Sequence, residues 1–263
     1  MLTFVGLGLY DERSITVEGR EAVAAADRVF AEFYTSRLAG ATVADLEAYH
    51  GVDVEVRDRD GVEGDPSPIL DAAEPGEAVF LTGGDPMVST THVDLRLRAQ
   101  ERGIDTRLVH GTSASTAAAG LTGLQNYRFG KATTLPFPRD GSRGNRADDE
   151  AVPRSVLDTI GDNHDRGLHT LVYLDIESER DAYMDADEAA GLLVEPLDDA
   201  LGVAVARAGS PDPVVAADQL SELATRDFGD PLHLLVLPGD LHHVEADALA
   251  SLAGAPEASL DTV

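Results

Sequence analysis

Three stretches of this 263-residue chain place glycine where a strand should end and a helix begin. They are Phe4-Val5-Gly6-Leu7-Gly8-Leu9, Phe80-Leu81-Thr82-Gly83-Gly84-Asp85-Pro86 and Val109-His110-Gly111-Thr112-Ser113. A residue without a Cβ lets the backbone come close to a ligand, and a helix start offers unpaired N–H groups to negative charge. In open α/β sheets, ligands lodge at the carboxyl ends of strands. Three such turns converging would hold a compact polar cofactor, whereas any one alone is equally a tight strand-to-helix turn. Asp85 fits either a helix N-cap or a carboxylate facing a cationic or hydroxyl-bearing ligand, and Pro86 fits a first helical turn.

Other site chemistries fail on their residues. Gly6-x-Gly8 supplies two glycines of a dinucleotide fingerprint, and Glu32 falls about where a ribose-binding acid would. Asp11 takes the third glycine's place, however, and Asp11-Glu12 would repel a pyrophosphate. No Gly-Lys-Ser/Thr exists to form a Walker loop. Ser113 lacks the second glycine of a nucleophile elbow, which argues against a hydrolase. The absence of cysteine removes thiol catalysis, thiolate zinc sites and disulfides together. His242-His243-x-Glu245 is the one cluster resembling metal ligands, but adjacent histidines diverge around a helix start, so no metal is expected. His110 and His169 read as structural residues at strand ends, and His233 taken alone as a core histidine.

The elements that must position the turns alternate. Strands are predicted at Thr3–Gly8, Arg28–Glu32, Val79–Leu81 and Thr106–Val109, with helices over Ser14–Ala26, Val88–Arg102 and Ser113–Leu121. Such alternation implies βαβ units and a largely parallel sheet. Phe137 to Pro153 lapses into a turn-rich loop. Beyond it come strands at Leu168–Ile176, Gly202–Ala208 and Leu232–Leu237, helices at Asp185–Leu193 and Val244–Leu252, and a mixed segment up to Arg226. The expected fold class is therefore α/β in two domains, 1–111 and 112–263. The N-terminus enters a strand at once rather than a signal peptide, and no apolar run approaches the ~18 residues of a membrane span. A soluble, cytoplasmic protein is expected.

Twenty basic residues against forty-eight acidic ones give a net charge of −28, and Lys131 is the only lysine. This field disfavours nucleic acid as a partner, and short hydrated carboxylates spread along the whole chain suit a salt-rich cytosol. The fold should accordingly melt at lower temperature in dilute buffer than in molar salt, since screening suppresses the self-repulsion; a melting temperature indifferent to salt would contradict this. One segment departs from the trend. Arg128 to Arg146 carries five basic residues (Arg128, Lys131, Arg139, Arg143, Arg146) against Asp140 alone. Either this segment pairs with the acidic stretch Ala147 to Asp165 that follows it, or Arg139, Arg143 and Arg146 steer an acidic face of a protein partner.

Several stretches in collinear order resemble one family. These are Phe4 to Glu12, Ala31-Glu32-Phe33-Tyr34-Thr35-Ser36, Gly84-Asp85-Pro86 with Thr90-Thr91-His92, Gly167-Leu168-His169-Thr170, Ala206-Arg207-Ala208-Gly209-Ser210, and Phe228-Gly229-Asp230-Pro231-x-His233. Together they resemble the archaeal diphthine synthases, of the tetrapyrrole-methylase-like class of S-adenosylmethionine methyltransferases. Tyr10-Asp11-Glu12 separates the chain from porphyrin-pathway members, which tend to carry Pro-Gly-Asp there. Gly83 departs from the family's usual proline.

The resemblance implies two α/β domains of the tetrapyrrole methylase type with a cofactor cleft between them, in a homodimer. It carries the cofactor contacts onto Leu9, Asp85, Val88, Ser113, Ala114, Leu174, Ala208 and His233. The implied reaction uses S-adenosylmethionine, leaving S-adenosylhomocysteine. It methylates the amine of the aminocarboxypropyl-modified histidine of translation elongation factor 2, to give diphthine. A porphyrin-pathway methylase of the same fold and a non-catalytic binding module are the alternatives. In the implied site, Leu9, Val88, Leu174 and Ala208 form an apolar wall for the adenine, and amides at the Ser113 helix start take the methionine carboxylate.

Overall fold

The computed structural model describes residues 1–138 and 151–260. The chain forms two compact units, Met1–Ala114 with Ile176–Asp181, and Ser115–Asp175 with Ala182–Val263.

The first unit contains β1 (Leu2–Gly6), α1 (Val17–Ala25), β2 (Arg28–Glu32), α2 (Val43–His50), β3 (Val54–Val56), α3 (Ser67–Ala73), β4 (Ala78–Thr82), α4 (Val93–Glu101) and β5 (Thr106–Val109). Its sheet runs β3-β2-β4-β1-β5 with every pairing parallel. β1 and β4 are buried at every position, because helices cover both faces of such a sheet. The period of two divides their side chains between two cores. Phe4, Phe30 and Phe80 enter one with Ile69 and Leu95, while Val5, Val29, Ala31, Val79 and Leu81 enter the other with Val23 and Leu46. Phe4 and Phe80 meet edge to face at 5.8 Å, a geometry adding about 0.5–1.5 kcal/mol beyond burial. This strand order makes β1 a neighbour of both β4 and β5, so their carboxyl ends lie side by side.

Two local outcomes differ from the sequence reading. α4 starts at Val93 rather than Val88, because Ser89 takes a left-handed φ of 57° and Thr90 Oγ1 donates to Pro86 O at 2.8 Å, holding residues 86–92 as a turn. Asp85 therefore caps no helix. Residues 33–77 also gain α2, β3 and α3, which hydrophobic periodicity did not reveal. β3 has only three residues at a sheet edge, none of them buried.

The second unit takes α5 (Ala114–Thr122), whose first residue belongs to the first unit, then β6 (Thr133–Leu135), α6 (Arg154–His164) and β7 (Thr170–Leu174). The two-residue strand β8 (Ile176–Glu177), which belongs to the first unit, and β9 (Ala182–Tyr183), which belongs to the second, come next in the chain. α7 (Ala186–Leu193), β10 (Leu201–Ala206), β11 (Val214–Gln219), α8 (Leu220–Leu223), β12 (His233–Leu237) and α9 (His243–Ala253) complete it. The sheet order is β11-β10-β12-β7-β6, and only β6–β7 is parallel. The mixed segment before Arg226 is thus the antiparallel edge strand β11 followed by α8. β11 escaped detection because only one of its six residues is buried.

His242-His243-x-Glu245 forms a capping box at the start of α9. Glu245 is fully buried and accepts four hydrogen bonds. They come from Gln125 N–H (2.9 Å), His169 Nε2–H (3.0 Å), His242 N–H (2.9 Å) and Arg128 Nη1–H (3.3 Å). His169 Nδ1 in turn accepts from Gly239 N–H at 3.0 Å, so this histidine ties three segments together. Among the described residues no group of three or more His, Asp or Glu could hold a metal ion, and no helix is long and apolar enough to cross a membrane.

Candidate active site

The three glycine turns of the first unit interlock. Gly8 N–H donates to Gly84 O at 3.2 Å and Gly84 N–H to Gly8 O at 2.7 Å. A Cβ on Gly6 would lie 2.5 Å from both Gly111 N and Gly84 O, and one on Gly111 only 2.2 Å from Gly84 O. The space freed at Gly6 and Gly111 is therefore filled by neighbouring backbone, not left for a ligand. Gly84 is different. Its φ is 74°, and the nearest atom to its absent Cβ is Thr112 O at 4.0 Å, so although Gly84 is buried a small space remains beside its backbone.

Asp85 fastens this arrangement from inside. It is 6% exposed, with Oδ1 accepting from Met87 N–H at 2.9 Å and Oδ2 from His110 Nδ1–H at 2.8 Å and Gly111 N–H at 3.3 Å. One carboxylate thus spans the turns after β4 and β5. Behind it lies a second buried set that the sequence reading did not assemble. Glu32 accepts from Tyr34 N–H and Thr35 N–H, both at 3.0 Å, and from Thr82 Oγ1–H at 3.0 Å. His92 Nδ1–H donates to Pro86 O at 3.1 Å, while its Nε2 faces Glu32 Oε1 at 3.4 Å. Burial pushes the His92 imidazolium down in spite of the neighbouring Glu32 carboxylate, and the ring serves as a donor to the Pro86 carbonyl. Glu32 belongs to this internal support, which accounts for its position at the end of β2. The only sequence signal for the set was the presence of Glu32 and His92 in the stretches resembling the family.

The other predicted residues fall in two groups. Leu9, Val88, Ser113 and Ala114 join Asp85 in the first unit. Ser113 is buried just before α5, Leu9 and Ala114 are half-buried, and Val88 is exposed. Leu174, Ala208 and His233 lie in the second unit, at one end of its sheet, where Ala206 pairs with His233 and Leu234 with Tyr173. Leu174 packs into that unit's hydrophobic core. Both ring nitrogens of His233 are engaged: Nδ1 accepts from Ala186 N–H at 3.2 Å and Nε2–H donates to Asp230 O at 3.0 Å. Burial holds its imidazolium below the usual range, although Asp185 nearby favours the charge. Any ligand contact by His233 must come from its backbone or ring carbons. Arg207 straps the adjoining loop, donating through Nη1 to Phe228 O at 2.6 Å and Asp230 O at 3.2 Å. A cavity of about 260 Å³ lies along that loop, lined by Asp185, Asp187, Arg226, Asp227 and Gly229 among others; none of the predicted cofactor residues lines it. Arg139, Arg143 and Arg146 fall outside the described residues.

A parallel sheet with interlocked glycine turns, followed by a mostly antiparallel sheet, has known counterparts. The family model described as Tetrapyrrole (Corrin/Porphyrin) Methylases matches residues 1–224. A protein from Natronomonas pharaonis named diphthine synthase is 68% identical, over 99% of this chain and 98% of its own length. One of the same name from Methanosarcina mazei is 49% identical over the full length of both. A crystal structure of diphthine synthase superposes with a TM-score of 0.89 at 38% identity, covering 100% of this chain and 99% of the other. The chain belongs to the tetrapyrrole methylases and, within them, to the diphthine synthase family. Relatives include those of haloarchaea such as Halobacterium salinarum, at 66% identity, in keeping with the acidic composition.

Proposed function

We propose that this protein methylates the amino group of the aminocarboxypropyl-modified histidine of translation elongation factor 2, with S-adenosylmethionine as donor, to give diphthine. The observation that carries the reading is the space left beside the Gly84 backbone, next to Thr112 and the Ser113–Ala114 helix start. It occurs in a chain that aligns almost end to end with proteins named diphthine synthase. A compact cofactor with a carboxylate fits there, because the amides at the start of α5 favour negative charge and no side chain intervenes at Gly84.

When bound, the donor supplies an activated methyl group. The protein's share is alignment. Leu9 and Val88 offer apolar surface to the adenine, Ser113 and Ala114 the helix-start amides, and Asp85 holds two of the turns in register. Leu174, Ala208 and His233 are assigned to the same donor through the family. Orientation of two reactants alone can supply about 7–11 kcal/mol. The same reading makes the protein a cytoplasmic homodimer.

Incubation with labelled S-adenosylmethionine, offering modified elongation factor 2 and a porphyrin-type substrate side by side, should label the factor alone. Label on the tetrapyrrole only would replace this reading with a porphyrin-pathway one. Asp85→Ala should weaken binding of S-adenosylhomocysteine by about ten- to a hundredfold in calorimetry. Hydrogen bonds to a charged group are each worth roughly 1.5–3 kcal/mol, and their loss releases both turns. Affinity equal to the wild type would remove Asp85 from its assigned role.

A further inference from the structure

The Asp85–His110 pair contains a group that donor binding does not use. Asp85 is buried and its carboxylate is engaged by three N–H donors. His110 is its opposite, with a side chain 69% exposed at the end of β5, next to Gly111. Its Nδ1 lies 2.8 Å from Asp85 Oδ2. A carboxylate oxygen can only accept, so Nδ1 carries the hydrogen, and it is the neutral form of the ring that presents an Nε2 lone pair. Among the described residues that nitrogen makes no hydrogen bond. A buried carboxylate fixing the tautomer and orientation of an accessible imidazole is the arrangement of a general base and its orienting acid.

We propose that His110 is the proton acceptor for the substrate amine, an inference that rests on the proposed function. An alkylammonium has no lone pair with which to attack. One N–H proton passes to His110 Nε2, and the freed lone pair forms the new N–C bond. As it forms, the methyl's C–S bond breaks and its electron pair returns to sulfur, which loses its positive charge. The imidazolium is stabilised by Asp85 until it gives its proton to solvent. This places the base on the rim of the same interlocked turns that leave the space beside Gly84.

His110→Asn separates this role from simple bracing of Asp85, because the asparagine amide still offers an N–H on the Nδ1 side while having no basic nitrogen. The expected results are S-adenosylhomocysteine affinity within twofold of the wild type by calorimetry, an unchanged melt, and a kcat near pH 7 lower by about 10²–10⁴-fold. The variant's rate should climb roughly tenfold per pH unit as solvent takes over the deprotonation, closing on the wild type in base. Equal turnover and pH profile in His110→Asn and wild type would overturn the inference. So would a rate deficit that stays constant across pH, or that follows lost S-adenosylhomocysteine binding. A wild-type protein that binds S-adenosylhomocysteine yet leaves the modified factor unmethylated would overturn the proposed function itself, and this role with it.

Discussion

Gly111→Ala should abolish measurable S-adenosylhomocysteine binding and lower the melting temperature of the N-terminal unit by about 6–12 °C. The added methyl would stand 2.2 Å from Gly84 O and 2.9 Å from Gly6 Cα, all backbone atoms of strand ends that cannot rotate away as a side chain would. Overpacking a dense interior typically costs about 1–3 kcal/mol, and a contact this short against fixed backbone belongs at the upper end. At roughly 2–4 °C per kcal/mol for a chain of this size, the upper figure gives the stated shift. Gly84→Ala makes the informative contrast. Its methyl would meet nothing closer than 4.0 Å, so only the φ of 74° is strained, at about 1–2 kcal/mol. That methyl fills the space beside Gly84, so binding should fail there with a far smaller change in the melt. If Gly84→Ala binds like the wild type, that space is not where the donor lies.

Glu245→Ala should destabilise the C-terminal unit by roughly 3–5 kcal/mol, since removing one partner of a buried charged network leaves the others unpaired. The orphans would be the N–H groups of Gln125 and His242, His169 Nε2–H and the Arg128 guanidinium. Differential scanning calorimetry should show one unit melting earlier while the other holds its temperature; an unchanged thermogram would refute the assignment. The network also sets a pH dependence. Burial would raise the Glu245 carboxyl, but hydrogen bonds from Gln125, His242 and His169 outweigh it and hold it below the usual 4.5. Burial likewise lowers His169, overcoming its hydrogen bond to Glu245. Both groups bind fewer protons folded than unfolded at intermediate pH, so acid removes stability. The histidine's share declines as pH falls below about 6.5, and the glutamate's as pH falls below about 4.3. The alanine variant should lack the second, more acidic decline.

Much of this architecture is legible in the residue order. β2 and β5 fall where runs of apolar and β-branched residues stand, and β1 and β4 within a residue or two, because buried parallel strands tolerate few polar side chains. α2, α3, β3, β6, α6 and β11 are not read. All but α6 are short or half-exposed, so their apolar spacing is too sparse to rise above that of a loop, and α6 directly follows the turn-rich stretch. α4 starts five residues later than the residue pattern predicts, because a Pro after an Asp announces a helix whether or not a later residue turns left-handed, as Ser89 does. At the site, the glycine turns and Asp85 announce themselves by residue type. His110, however, reads as an unremarkable strand-end histidine until Asp85, 25 positions earlier in the chain, is found 2.8 Å away.

The sequence by itself determined the acidic surface, the absence of thiol chemistry, the alternating first half and the stretches that mark the family. Each of these is a property of residue type or local spacing. Only the tertiary structure decided what the glycines and buried acids do. Strand order brought β1, β4 and β5 together so that Gly6 and Gly111 accommodate backbone while Gly84 leaves a space beside its own. Pairings across 25 to 120 positions turned Asp85 and Glu245 into fastenings. Contacts over such separations depend on the register of distant strands and helices, which no local pattern of residues encodes.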